Sequence, residues 1–192
     1  MQEQPDVVAI IMTQISLNMG LKTWKDKGRS AAKTEIKDLH MQDTFIPKRY
    51  KDLDVVQRES ILEYHIFLKE KKNGDIKGRT VAGGNKQRDL VSKEDSRSPT
   101  VSMEAVLLRC IIDAEEERDV AVIDIPNAFI QTRAENEKYM VYIRVRGILV
   151  DLLIEIVPDV YDPYVKLDKK RTKVLILQCL NAIYRTRVAS LL

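Results

Sequence analysis

The chain has 192 residues, 44% hydrophobic and 32% charged, which is enough apolar material for one sizeable core and too much for an intrinsically disordered chain. Lys plus Arg number 32 against 29 acidic residues; a formal charge of +3 does not by itself demand a polyanionic partner, but the cations gather at 69–93 and 166–173. Cys110 and Cys179 lie outside any C-x-x-C pair and the only histidines are His40 and His65, which excludes a zinc ribbon or a disulfide framework and fits a reducing, intracellular compartment.

From the N-terminus, the apolar run Val7 to Met12 is too short to span a bilayer and follows no basic segment, so no membrane partner is expected. Residues 1–29 form a poorly defined N-terminal segment. Val7 to Leu21 suits a helix, and "KTWKDKGRS" reads as a charged linker. Ser30 then offers an N-cap, with Ala32, Ile36 and Leu39 on one stripe of a short amphipathic helix. "DTFIPKRYKDLD" reads as a loop carrying Pro47, and "VVQRESILEY" as a turn or short helix.

"EYHIFLKEKKNGDIKGRTVAGG" reads as a β-hairpin, Asn73-Gly74 supplying the positive φ angles of a tight turn. His65, Phe67 and Lys69 fall on one face of its first strand, Ile66 and Leu68 on the other. "SMEAVLLRCIIDAEEE" predicts a helix capped by Ser102 and buried on most sides, its acidic end fraying against the macrodipole. "RDVAVIDI" has the unbroken apolar run of a strand covered on both faces. "EKYMVYIRV" alternates like a half-exposed strand, "GILVDLLIEIVPDV" predicts a helix ending near Pro158, and "TKVLILQCLNAIY" a strand running into a helix start.

Several chemistries lack their residues. Gly78 and Gly83 have the spacing of a P-loop, but Gly84 and Asn85 stand where Lys and Ser or Thr are needed. No G-x-S-x-G elbow is present, and neither histidine has ligand-spaced partners, so both read as structural. Lys77 and Arg79, two apart on a strand, share a face: either a claw for phosphates, with Lys86 and Arg88, or the charged edge that discourages aggregation. Asp124, at the end of an apolar run, either caps the turn of "PNAF" or holds a cation, since an unpaired buried carboxylate is expensive.

In order along the chain, "EIKDLHMQDTFIP", "FLKEKKNGDIKGRTVAGGNKQ", "SPTV", "VIDIPNAFIQT", "EKYMVY" and "LNAIYRT" resemble the reverse transcriptase of copia-type retrotransposons over about residues 31–190. Lys77, Arg79, Val81, Ala82, Gly84 and Gln87 match the family's K-x-R-L-V-A-x-G-x-x-Q, with Thr80 where leucine is usual. Asp124, Ala128 and Phe129 match D-V-K-x-A-F-L-x-G; Ala182, Ile183 and Tyr184 resemble A-L-Y-G-L, with Arg185 in place of the glycine.

The resemblance implies an α+β chain: an incomplete right-hand polymerase fold with a fingers hairpin and part of the palm sheet with packed helices. Residues 30–192 would be a partial reverse transcriptase domain, fingers about 30–118 and front palm about 119–192. It implies an RNA or DNA primer–template and deoxynucleotides as partners and two magnesium ions as cofactors. Asp124 would be the catalytic, metal-ligating carboxylate, with the carbonyl of Ile125 beside it. Phe129 would be the steric gate against a ribose 2′-hydroxyl, while Lys77 and Arg79 would reach the triphosphate. No Asp-Asp dipeptide occurs in the 192 residues, so the family's second acidic motif is missing from them and the chain alone is expected to be inactive. A non-catalytic nucleic-acid-binding fragment, an unrelated interaction domain and a decayed retroelement remnant are the alternatives.

Overall fold

The computed structural model describes residues 14–83, 100–123, 128–134, 140–183 and 186. Its strands are β1 (Ile15–Ser16), β2 (Phe45–Lys48), β3 (Leu62–Glu70), β4 (Ile76–Ala82), β5 (Val141–Arg146), β6 (Lys166–Leu167) and β7 (Lys173–Cys179). They join in one mixed sheet of order β1-β3-β5-β7-β2, with β4 also paired to β3 and β6 to β7. β3 is where the sheet divides. Its first residues run parallel to β5 (Leu62 opposite Ile143), while its remainder pairs antiparallel with β4 and, near its end, with β1. With the helices described next, this makes an α+β chain, as the sequence predicts.

α1 (Leu17–Met41) packs across β3 and β4. Ser16 caps it, its Oγ accepting from the Met19 N–H, and it ends in a left-handed turn at Asp43 whose neighbour Thr44 donates back to the Leu39 carbonyl. The linker expected at 22–29 is helical instead, and Ser30, expected as an N-cap, lies inside the helix. Nothing in "KTWKDKGRS" breaks a helix except Gly28, and Gly28 has a packing reason. α1 breaks sharply at Lys25 (φ 43°, ψ −118°), which brings its two halves together through glycines. A Cβ on Gly28 would lie 2.9 Å from the Gly20 carbonyl oxygen, and one on Gly20 2.6 Å from Leu68 Cδ1. The stripe Ala32, Ile36 and Leu39 is buried as expected.

α4 (Ile148–Ile156) lies beside α1, so both helices cover one side of the sheet. Between them and the strands sit Ile36, Leu62, Ile66, Leu68, Ile143, Val145, Leu152, Leu153, Leu175 and Leu177, all essentially inaccessible. Each such Leu or Ile contributes roughly 1.5–3 kcal/mol by leaving water. Arg29 and Lys33 of α1 pair with Glu155 of α4 at the solvent edge of this contact. α4 ends at Ile156, close to Pro158 as expected, and α5 (Pro158–Tyr161) follows and buries Tyr161, whose hydroxyl lies 2.8 Å from His40 Nδ1. Burial pushes the Tyr161 hydroxyl up to about 12.

The other side of the sheet carries a smaller cluster of Leu53, Ile61, Tyr142 and Ile176. α2 (Val55–Ser60) leads into it through a capping box between Asp54 and Gln57. This cluster buries Tyr142, while Arg144 is half-buried and Arg146 exposed on the same face, so β5 alternates as expected and is covered on both faces only at its start. The loop expected around Pro47 is edge strand β2, where a residue without an N–H removes no bond from the sheet interior.

Further expectations differ from the structure. α3 (Met103–Glu115) has the Ser102 cap, but Met103, Leu107, Leu108 and Ile111 are exposed; of its residues only Asp113 is buried, held by Arg109 and Arg118. Its acidic end closes in a turn: Glu117 is left-handed and the Arg118 N–H bonds the Asp113 carbonyl. A cap and an apolar periodicity mark where a helix forms, but burial needs a facing surface, which the apolar pattern of α3 cannot supply by itself. Asp119 to Ile123 forms no strand, and Val122 and Ile123 are 97% and 81% exposed, because an apolar run becomes a strand only where another strand satisfies its backbone. The last expected strand is present as β7, but no helix starts over 180–183. Among the described residues there are five α-helices, and none is long and apolar enough to cross a membrane.

Candidate functional site

The predicted site residues fall in two places. Lys77 and Arg79 lie on β4, in the β3–β4 hairpin. Asp124 and Ile125 lie outside the described residues, as do Lys86 and Arg88. Phe129 belongs to a short 3-10 turn, Ala128–Gln131, in which Ile130 is buried.

The hairpin's turn differs from the expected one. Only Gly74 takes a positive φ (82°); the Lys71 N–H bonds the Asp75 carbonyl (2.8 Å) and the Gly74 N–H the Lys71 carbonyl (2.9 Å), a three-residue connection. Asn73 works through its side chain: Oδ1 accepts from the Asp75 N–H (3.2 Å) and Nδ2 donates to the Asp75 carboxylate (2.6 Å). The alternation on β3 is the predicted one, with Leu62, Tyr64, Ile66 and Leu68 buried under the helices and His65, Phe67 and Lys69 on the other face.

On β4, Gly78 and Thr80 are buried towards α1, and Lys77 and Arg79, which alternate with them, are exposed. A Cβ on Gly78 would lie 3.0 Å from both the Ala31 carbonyl oxygen and Glu35 Cβ, so helix and strand touch there without a side chain between them. Glu35 reaches the Thr80 N–H with Oε1 (2.9 Å), and Thr80 Oγ1 lies 3.1 Å from the buried Tyr64 hydroxyl. Glu35 thus occupies a donor on the outer strand that would otherwise be open to another chain. Burial raises the Glu35 pKa above the ordinary carboxylate range, against the opposing pull of Thr80 and Lys77. A groove of about 490 Å³ runs between α1 and the hairpin, lined by Lys27, Thr34, Glu35, Asp38, Asp75 and Lys77.

The face bearing Lys77 and Arg79 continues across the sheet. Phe67 stands opposite Arg79 in the register, and Lys69 opposite Lys77. Further along β3, Glu63 accepts from Arg144 Nη1 (3.0 Å) and Arg146 Nε (3.1 Å), and Arg146 Nη1 donates to Asp168 (3.1 Å). Hydrogen bonds from Thr172 and Lys170, with Arg146 beside it, hold the Asp168 carboxyl below the usual carboxylate range. Neither Glu35 nor Glu63 stands out in the sequence. Ala31 and Glu35, four apart beside the stripe of Ala32 and Ile36, were the available signal for a carboxylate turned towards the sheet.

Chemically, this hairpin face offers cations to phosphate oxygens next to an aromatic ring. Among the described residues no cluster of His, Cys, Asp or Glu could hold a metal ion. No family model, curated protein or solved structure matches the chain.

Proposed function

We propose that the chain is the fingers and front-palm portion of an RNA-directed DNA polymerase of the copia type, a right-hand polymerase fold in part, and that its own contribution is to hold nucleic acid and the nucleotide triphosphate. One observation carries this reading beyond the motif order: Lys77 and Arg79 stand exposed on one side of β4 while the residues between and after them anchor the strand to α1. A strand so fixed presents two cations at constant spacing, as contact with a triphosphate or a phosphate backbone needs. Asp124 would bind magnesium with the Ile125 carbonyl and Phe129 would gate the ribose. The metal would supply charge neutralisation at the transferred phosphate. With no Asp-Asp dipeptide in its 192 residues, the chain by itself is read as a binder without nucleotidyl transfer.

Two assays test this reading. Binding of a labelled primer–template should weaken steeply with salt, and the Lys77→Ala, Arg79→Ala double variant should bind more weakly with a salt slope shallower by about 0.7–0.9 per lost contact. Affinity indifferent to both salt and the double substitution would refute it. Primer extension in magnesium above that of an Asp124→Asn control would overturn the assignment as a binder only.

A further inference from the structure

The sequence has two basic clusters almost a hundred residues apart, and the reading above uses only the first. The topology brings both to one end of the sheet. β3 runs parallel to β5, β4 returns antiparallel along β3, and β7 runs antiparallel to β5, so the β3–β4 turn and the β6–β7 turn leave the sheet at the same end. The first tip carries Lys71 and Lys72, the second Lys169, Lys170 and Arg171, and all five side chains are exposed. None of the five is in an ion pair among the described residues.

The acidic residue of each tip is turned to internal use. Asp75 is held by Asn73 at the first. At the second, one Asp168 oxygen accepts from the Lys170 N–H (2.8 Å) and the Thr172 N–H (2.9 Å), and the other takes Arg146 from β5. That arrangement holds the turn closed, with Arg171 left-handed (φ 59°), and leaves the exposed Lys169, Lys170 and Arg171 outnumbering the carboxylate beside them, Asp168, which interacts with Lys170 as well as with Arg146.

We infer that the two hairpin tips form a two-pronged cationic surface that grips the phosphate backbone of a nucleic acid, the β6–β7 tip being a contact separate from Lys77 and Arg79. The inference rests on the reading that the chain handles nucleic acid. Charge complementarity commits it to that occupant. An anionic membrane would favour large apolar side chains beside the lysines, and Leu167 is the only exposed one on either hairpin.

The test measures binding of the whole chain to a labelled primer–template duplex over a range of salt. It compares the parent with Lys169→Gln/Lys170→Gln/Arg171→Gln, with Lys71→Gln/Lys72→Gln, and with Lys77→Ala/Arg79→Ala. These are exposed positions, and a thermal melt of each variant checks that the fold is kept; the Lys169→Arg/Lys170→Arg variant, which keeps the charge, should bind as the parent does. The β6–β7 triple variant is expected to bind at least tenfold more weakly at moderate salt, with a log–log salt slope shallower by about 2, at about 0.7–0.9 per contact. A triple variant with parental affinity and slope overturns the inference while leaving Lys77 and Arg79 standing. Loss confined to the triple and Lys71/Lys72 variants upholds it and discards the role of Lys77 and Arg79. Retention on vesicles of mixed neutral and anionic phospholipid with none on the duplex overturns it in favour of a membrane.

Discussion

Gly78→Ala is the substitution whose outcome follows most directly from the structure. The added methyl would meet the Ala31 carbonyl oxygen and Glu35 Cβ, each at 3.0 Å, and neither is the free end of a flexible side chain. α1 and β4 must separate by a few tenths of an ångström along a contact that also carries the Thr80–Glu35 hydrogen bond, two residues on. Overpacking of this kind costs about 1–3 kcal/mol. Replacing glycine within a strand returns about 0.5–1 kcal/mol by restricting the unfolded chain. The net expectation is destabilisation by about 1–2 kcal/mol, or a fall in Tm of about 3–6 °C for a chain of this size. Urea denaturation followed by circular dichroism reads the first and calorimetry the second; amide exchange at Thr80 should quicken by more than global stability explains if the Glu35 bond is loosened. A Gly78→Ala variant as stable as its parent, or more so, would refute the close approach of helix and strand.

Two other expectations concern α1. Because burial raises the Glu35 pKa, the folded state holds that proton more tightly than the unfolded state. The stability from Glu35 protonation is therefore fully present below the ordinary carboxylate range and lost as pH rises through the higher folded value. Glu35→Gln keeps an oxygen for the Thr80 N–H, so urea midpoints across pH should show it more stable than the parent at neutral pH and without this loss; Glu35→Ala should cost about 1–3 kcal/mol at any pH by leaving that donor unmet. Equal pH dependence in parent and Glu35→Gln would contradict the burial. At Lys25, whose φ and ψ suit glycine, backbone strain of about 1–3 kcal/mol exceeds the entropy a glycine adds, so Lys25→Gly should raise Tm by a few degrees and Lys25→Ala should not. A lower Tm for Lys25→Gly would mean that α1 runs straight.

What could be read from the sequence is what rests on short-range physics. The Asn73-Gly74 hairpin, the alternation along β3, the cap at Ser102 and the stripe Ala32–Ile36–Leu39 each depend on a few neighbouring residues, and each is present. So is the shared, exposed side of Lys77 and Arg79, because a strand's side chains alternate wherever the strand is placed. Asp119 to Ile123 and α3 show the limit. Their apolar residues give the same local signal as a buried strand and a buried helix, and only a facing partner would have made the difference.

Other features were decided by tertiary contact alone. The linker expected at 22–29 became helix because folding back at Lys25 seats Gly20 and Gly28 against each other and Leu68, a contact between residues far apart in sequence. Glu35 turned into the sheet because the outer strand has an N–H to satisfy there. The meeting of the two basic tips is of the same kind. Composition shows cations at 69–93 and 166–173, but only the parallel pairing of β3 with β5 and the antiparallel return of β7 put both turns at one end of the sheet. Which strands become neighbours, and in which direction, depends on how the connections cross the packed core, and that is a property of the whole.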